Sequence, residues 1–300
     1  MNWINKQWHK VWLYLITLAN NYLVGRNKED AEQVTEPAPT PPVEKPTKPE
    51  PIDTRLANTL LVLDAGHYKE TAGKRGPKFK PEGQAIEWVD NRVFVQSLYA
   101  CIQIQNKKIQ NPIIDVVVAN KDWLKEEERF DLNFDASAYH NSKGRENLYY
   151  RNTRINDIYK ANVNKYKRII FISIHHNAVN NPNVRGLELY YHGVGNNHLS
   201  KIFCNTIWKW FRIAGYQGRY TNTTHKDVTV RPDTWIYSKA KGDSVNGFSI
   251  LRNNKQYSTR ILIEVEYMTN REAVVDILNT KLVNEKTKVL YNAIKEFIKE

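Results

Sequence analysis

Cysteine is almost absent from this chain of 300 residues, which contains only Cys101 and Cys204. Each lies in an apolar pattern typical of a helix, where a free cysteine behaves as a small hydrophobic residue. A disulfide framework is therefore not expected. The count also excludes a zinc site made of four cysteines, so any metal site has to be built from histidines and carboxylates.

Long runs of positive charge are also missing, although Lys and Arg outnumber Asp and Glu by 44 to 32 and give a net charge of +12. The sequence has no block of five Lys or Arg, no zinc-finger spacing and no aromatic RNA-binding signature. Nucleic acid is therefore not an expected partner. The excess positive charge instead favours an anionic cell-wall polymer or an anionic membrane surface.

The N-terminal segment lacks a full membrane-spanning run. Residues 1–26 are basic and rich in Trp and Leu, but Asn20 and Asn21 interrupt an apolar stretch that would need about 20 residues to span a bilayer. We expect an amphipathic helix that lies on a membrane, acts as an uncleaved anchor or packs on a partner. Residues 27–52 then form a proline-rich linker, and residues 53–300 form a domain of catalytic size.

Four apolar runs in this domain have the composition of strands buried on both faces. Such runs, separated by helical patterns, are typical of parallel strands in an α/β sheet. The strand candidates span residues 59–67, 113–120, 168–176 and 259–268. The helix candidates span residues 86–105, 147–166, 197–213, 271–278 and 281–299. The predicted fold is a mostly parallel, twisted sheet with helices on both faces, and residues 215–254 are predicted to be an elaborated loop near the functional site.

Three of the apolar runs end in a titratable residue, namely His67, His175 and Glu264. In open α/β sheets, ligands bind beyond the carboxyl ends of the parallel strands, so these side chains are expected to converge. A mononuclear zinc hydrolase needs three protein ligands and an open position, and two histidines with one glutamate are a standard set. The pattern therefore favours a zinc site at this edge of the sheet.

Two glutamates are candidates for the third ligand. Glu87 is preferred because the helical pattern begins there with Trp88, which gives a ligand a fixed scaffold. Glu82 is the alternative. A glutamate at the start of a helix also has a purely structural explanation, since it interacts favourably with the helix dipole.

Two neighbouring pairs leave further alternatives open. Side chains alternate along a strand, so only one of His175 and His176 is expected to reach the metal. Glu264 and Glu266 lie two residues apart and are expected on one face, where alternation does not distinguish them.

The ordered set of motifs resembles the zinc-dependent N-acetylmuramoyl-L-alanine amidases. These have a "D-x-G-H" opening, a second histidine in "S-I-H-x-N-A" and a late "E-x-x-x-x-[ST]-N" glutamate. The matching segments here are "DAGH" at 64–67, "SIHHNA" at 173–178 and "EVEYMTN" at 264–270, and "GLELYY" at 186–191 is similar to the strand that follows in the family. The stretches "ETAGKRGP" and "EWVDNR" resemble versions in amidases of Bacteroidetes and their phages. The resemblance covers about residues 57–300.

The resemblance implies that His67, Glu87 and His175 bind Zn²⁺ and that Glu264 is the catalytic base. It thereby selects His175 over His176, and it selects Glu264 over Glu266 because the family usually has Gly at the latter position.

Other positions are interpreted through the same resemblance. Tyr68 stands where the family usually has Gly, so it and Glu266 are departures that alter the loop geometry and the charge near the metal. Asp64 is expected to orient His67 or the turn after it, since metal-bound histidines usually have a second hydrogen-bond partner. Arg151 and Asn156 are given a structural role.

The reaction that the resemblance implies is hydrolysis of the peptidoglycan amide between N-acetylmuramic acid and the L-alanine of the stem peptide. Such an enzyme acts at the bacterial cell wall, as a phage lysin or as a bacterial autolysin. A zinc peptidase or deacetylase would use the same ligands. A non-catalytic wall-binding or virion structural protein is the alternative from another class, and the retained histidines and glutamates argue against it.

Overall fold

The structure is a computed structural model that describes residues 59–67, 75–108, 114–119, 142–195, 197–220, 229–234 and 247–299, with the backbone only for residues 142–147. The predicted N-terminal helix of residues 1–26, the linker of residues 27–52 and Tyr68 lie outside the described residues. In the described part of the chain, no helix combines the length and the apolar character needed to cross a membrane.

The described strands form one six-stranded sheet in the order β2-β1-β3-β6-β4-β5. Their bounds are Thr59–Ala65 (β1), Asp115–Val118 (β2), Arg168–Asn177 (β3), Glu188–Tyr191 (β4), Val230–Pro232 (β5) and Thr259–Tyr267 (β6). Every neighbouring pair is parallel except β4 and β6, which are antiparallel. The predicted mostly parallel α/β sheet is thus confirmed.

Helices cover both faces of this sheet. They are Glu87–Asn106 (α1), Ser142–Asn162 (α2), His198–Ile213 (α3), Ser249–Arg252 (α4), Arg271–Leu278 (α5) and Thr280–Lys299 (α6). Helices α1, α3 and α6 pack on one face, which we name the α6 face, against Leu61, Leu63, Ile170, Ile172, Ile261 and Ile263. Helices α2 and α4 pack on the other, the α2 face, against Leu60, Val62, Phe171, Tyr190 and Leu262. The two cysteines are free thiols on α1 and α3, as predicted.

The predicted loop of residues 215–254 is only partly where it was expected. Residues 215–220 lie beside Leu187, at the sheet edge where β6 ends. The segment also contains β5 and α4, and α4 leads into the start of β6 at the opposite edge. The reason is that β5 runs parallel to β4 and therefore opposite to β6, so the chain that leaves β5 emerges at the edge where β6 begins.

An irregularity in β6 separates the two neighbouring glutamates. His175 of β3 pairs with Glu264, but Asn177 pairs with Tyr267, so β6 contains one extra residue between these positions. A bulge of this kind breaks the alternation of side chains. Glu264 follows Leu262 on the α2 face, whereas Glu266 lies 3.8 Å from Lys286 of α6. The expectation that the two glutamates share one face was therefore wrong.

Candidate metal centre

Three of the predicted site residues lie together at the carboxyl edge of β1 and β3. Glu87 Oε1 lies 3.1 Å from His67 Nε2 and 3.0 Å from His175 Nδ1. The three candidate donor atoms all lie within 4.8 Å of one another. Glu87 and His175 are buried, whereas the His67 side chain is 30% exposed, so the cluster opens to solvent on the side of His67.

The position of His67 follows from the end of β1. The Gly66 amide donates to Ile174 O at 2.7 Å, which holds the turn against β3. His67 then adopts a φ of 61°, in the left-handed region that non-glycine residues rarely occupy. The chain therefore changes direction at the point where the imidazole is presented to Glu87.

Gly66 is required by the packing of the second histidine. A Cβ atom added at position 66 would lie 2.3 Å from His175 Cε1 and 2.5 Å from His175 Nδ1. Those separations are far inside van der Waals contact, so the His175 ring lies directly against the Gly66 backbone. The glycine of the "DAGH" motif thus leaves the space that the histidine of the other strand fills.

Helix α1 carries Glu87 to these strands and is fixed there by Asn91, one helical turn later. Asn91 Nδ2 donates to Gly66 O at 2.8 Å, and its Oδ1 lies 2.8 Å from His176 Nδ1. Residues four apart lie on the same face of a helix. Asn91 therefore holds the face of α1 that carries Glu87 against β1 and β3.

Asp64 supports the second histidine instead of the first, contrary to the expectation. Its carboxylate pairs with Arg151 of α2, with Nε at 3.0 Å from Oδ1, and accepts a 2.7 Å hydrogen bond from Ser173 Oγ. Ser173 Oγ in turn lies 3.1 Å from His175 Nε2. Burial raises the pKa of Asp64, but the Arg151 guanidinium outweighs this effect and holds the pKa below its ordinary value. Asp64 thus remains a carboxylate that orients His175 through Ser173.

The electrostatics of the cluster keep the protonation states that metal ligands need. Burial raises the pKa of Glu87, but the adjacent His67 and His175 rings lower it well below the ordinary value. Burial lowers the pKa of His175. A carboxylate and a neutral imidazole are therefore present at neutral pH, and these are the forms that bind cations.

Comparison with known proteins is consistent with this arrangement. The N-acetylmuramoyl-L-alanine amidase family (Amidase_3) has a sequence model that matches residues 61–296. The chain belongs to this family.

Solved amidases share the fold at low sequence identity. CwlD of Clostridioides difficile, in complex with the GerS lipoprotein, has a TM-score of 0.51 and 16% identity over 81% of this chain and 99% of that chain. The catalytic domain of CwlV from Bacillus (Paenibacillus) polymyxa var. colistinus has a TM-score of 0.51 and 21% identity over 80% and 98%. Comparison with curated sequences gives no match.

Glu82 and His176, the alternatives to Glu87 and His175, have other contacts in this member of the amidase family. Glu82 accepts hydrogen bonds from Arg271 at 3.0 and 2.8 Å near the surface, and it is not part of the donor cluster. His176 contacts Asn91, and burial lowers its pKa to about 3. Of these candidates, only Glu87 and His175 lie in the donor cluster with His67.

Glu264 lies beside the cluster, and a second glutamate faces it. Glu264 is 9% exposed and pairs in register with His175 on one side and with Glu188 of β4 on the other. The Glu188 carboxylate pairs with Arg231 and accepts hydrogen bonds from Tyr267 Oη and from Asn177 Nδ2, the latter at 2.8 Å. Sequence reasoning missed Glu188, although an isolated acid inside "LELYY" was a usable signal.

Ser173→Ala is expected to lower zinc affinity about 10- to 100-fold with little change in fold. A histidine that ligates through Nδ1 carries its proton on Nε2, and Ser173 Oγ is the group placed to accept it. Competition against a chromophoric chelator measures the affinity. Ser97→Ala, which removes a hydroxyl from α1 near α6, is the matched control. Equal affinity of the Ser173 variant and the control would refute the orienting role.

Proposed function

We propose that the chain is a zinc-dependent peptidoglycan hydrolase that cleaves the amide between N-acetylmuramic acid and the L-alanine of the stem peptide. The observation that carries this proposal is the convergence of His67, Glu87 and His175 beside Glu264, in a member of the amidase family. None of these residues is near another in sequence. Their meeting at one edge of the sheet supports a catalytic site, because ligands of open α/β sheets bind at this edge.

The donor set fits zinc. Two imidazoles and one carboxylate are a standard ligand set of catalytic zinc sites, and the partly exposed His67 leaves an open side for substrate. When bound, Zn²⁺ supplies a Lewis acid that polarises the scissile carbonyl and lowers the pKa of water towards about 7. His67 Nε2, Glu87 Oε1 and His175 Nδ1 would hold it.

Glu264 would act as the general base and then as the general acid. It would take a proton from the attacking water and deliver it to the leaving nitrogen of L-alanine. Of the two facing carboxylates, Glu188 already accepts hydrogen bonds from Arg231, Tyr267 and Asn177 and is fully buried. Glu188 therefore fixes β4 against β6, and we assign the proton transfer to Glu264.

The substrate implies action at the bacterial cell wall, as a phage lysin or as a bacterial autolysin. The basic residues 1–26, rich in Trp and Leu, would add attachment to an anionic wall or membrane surface.

Product analysis tests the proposed reaction. Purified peptidoglycan incubated with the zinc-loaded full chain is expected to yield new L-alanine amino termini and intact glycan strands. Chelation is expected to stop the release, and added Zn²⁺ to restore it. Acetate release would instead identify a deacetylase, and new amino termini on other residues a peptidase. Binding of the wall without any product would contradict an enzymatic function.

A further inference from the structure

A polar pocket lies on the α6 face, apart from the candidate metal centre, and none of the three candidate zinc ligands lines it. Its volume is about 280 Å³, close to the lower end of the roughly 300–1,000 Å³ typical of small-molecule sites. Its walls include Arg185, Phe211, Tyr216, Tyr220, Glu266 and Lys286. The pocket exists because the bulge in β6 turns Glu266 away from the face that carries Glu264.

Two buried, opposite charges line this pocket without contacting each other closely. Glu266 and Lys286 are only 5% and 4% exposed, yet Glu266 Oε2 lies 3.8 Å from Lys286 Nζ. That separation exceeds the 2.7–3.2 Å of a direct hydrogen bond by more than half an ångström. Within the described residues, Lys286 Nζ has no hydrogen-bond acceptor. Both side chains line the pocket, so a polar group of a ligand can bridge the gap between Glu266 Oε2 and Lys286 Nζ.

The remaining polar atoms around the pair are already engaged. Glu266 Oε1 accepts hydrogen bonds from the backbone amides of Gly186 and Tyr267. Arg185 donates to Glu272 and to Asp276, each at 2.8 Å. Two cations, Arg185 and Lys286, thus stand against two carboxylates, Glu266 and Asp276, in the pocket wall. This balance of charge favours a neutral ligand over a phosphate or a wall polyanion.

Aromatic rings form the other side of the pocket. The Tyr216 ring lies 5.6 Å from Lys286 Nζ, and its centroid is 5.5 Å from that of Phe211. Tyr220 completes this aromatic side. A ligand in the pocket therefore meets a polar pair on one side and apolar ring surface on the other.

We propose that this pocket binds a neutral saccharide, one hydroxyl of which lies between Glu266 and Lys286. A hydroxyl is the simplest neutral group that both donates and accepts, so it can donate to Glu266 Oε2 and accept from Lys286 Nζ at once. A carboxylate in this place would be repelled by Glu266, and an ammonium by Lys286. The apolar face of a sugar ring matches the aromatic side. The inference rests on this pocket and does not depend on the proposed hydrolysis.

The experiment measures binding of chitotetraose to the full chain by isothermal titration calorimetry. In Glu266→Gln and Tyr216→Leu the dissociation constant is expected to rise about 10-fold or more, since each variant removes a contact to the sugar. Glu285→Gln, which neutralises an exposed carboxylate on the same helix as Lys286, is the matched control and is expected to bind normally. Glu266→Gln leaves Lys286 buried without its counter-ion, so Glu266→Gln/Lys286→Met is the second variant if the single one fails to fold.

Three results would overturn the proposal. They are absence of chitotetraose binding to the unmodified chain, equal binding by Tyr216→Leu and the control, and binding of free lysine in place of the sugar. The calorimetric experiment measures saccharide binding and not amide cleavage. Loss of amidase activity in the Glu264→Gln variant therefore leaves this assignment intact. A glycan-strand fragment from peptidoglycan, used as a second probe, distinguishes the substrate's own sugar chain from other wall polysaccharides.

Discussion

Glu264→Gln is expected to abolish the release of stem peptides while zinc remains bound. The amide keeps the shape of the carboxylate but does not take up a proton at neutral pH, so the transfer from water to the leaving nitrogen is lost. General acid and base catalysis is worth about 10²- to 10⁴-fold in rate, and we expect a loss in this range. Initial rates on purified peptidoglycan, together with the zinc content of the same sample, check both halves of the prediction.

Glu285→Gln serves as the control for the loss of one negative charge, because that residue is exposed on α6 and pairs only loosely with Lys281 at 4.0 Å. It is expected to retain both activity and zinc. Full activity of Glu264→Gln would eliminate Glu264 as the base. Loss of zinc together with activity would instead give Glu264 a role in holding the metal.

Gly66→Ala is expected to impair the site although residue 66 carries no functional group. The added methyl would lie 2.3 Å from the His175 ring, so the ring has to move and its Nδ1 leaves the position 3.0 Å from Glu87. Misplacement of a catalytic group by about 1 Å can cost on the order of 10²-fold in rate. We expect a loss of this size in activity and a parallel loss of zinc affinity, measured by peptidoglycan hydrolysis and chelator competition.

Gly195→Ala separates this clash from the general cost of replacing a glycine. A Cβ atom there meets nothing within 4 Å, but the backbone φ of +80° still penalises alanine. The control should lose a little thermal stability and keep its zinc affinity. If Gly66→Ala binds zinc as tightly as the control does, the packing of His175 on Gly66 is not what positions the ligand.

The parallel part of the fold could be predicted from the sequence because burial on both faces leaves a strong signal. The runs that became β1, β3 and β6 are almost continuously apolar, and each carries a site residue at or near its carboxyl end. The rule that such ends meet at one edge was enough to bring His67, His175 and Glu264 together. The helical pattern that starts with Glu87 made it the preferred candidate over Glu82.

Other features left too weak a signal. Strands β4 and β5 have four and three residues, too few to show a periodicity, and so the antiparallel step at β4 was not foreseen. The contact between Arg151 and Asp64 joins residues 87 positions apart, and α2 carries little apolar pattern to reveal its orientation. The role of Asp64 was consequently assigned to the nearer histidine.

The bulge in β6 has a consequence for how the two glutamates around it can change. The two glutamates have different charged neighbours on the two faces of the strand. Glu264 lies beside His175 and Glu188, whereas Glu266 lies near Lys286 and Arg185. The charge of Glu266 is offset by Lys286 and Arg185, which lie 3.8 and 3.9 Å from its Oε2, and it faces away from the side of the strand that carries Glu264. The two glutamates of "E-x-E" therefore have separate surroundings although they share a strand, and a substitution of one is expected to leave the contacts of the other in place.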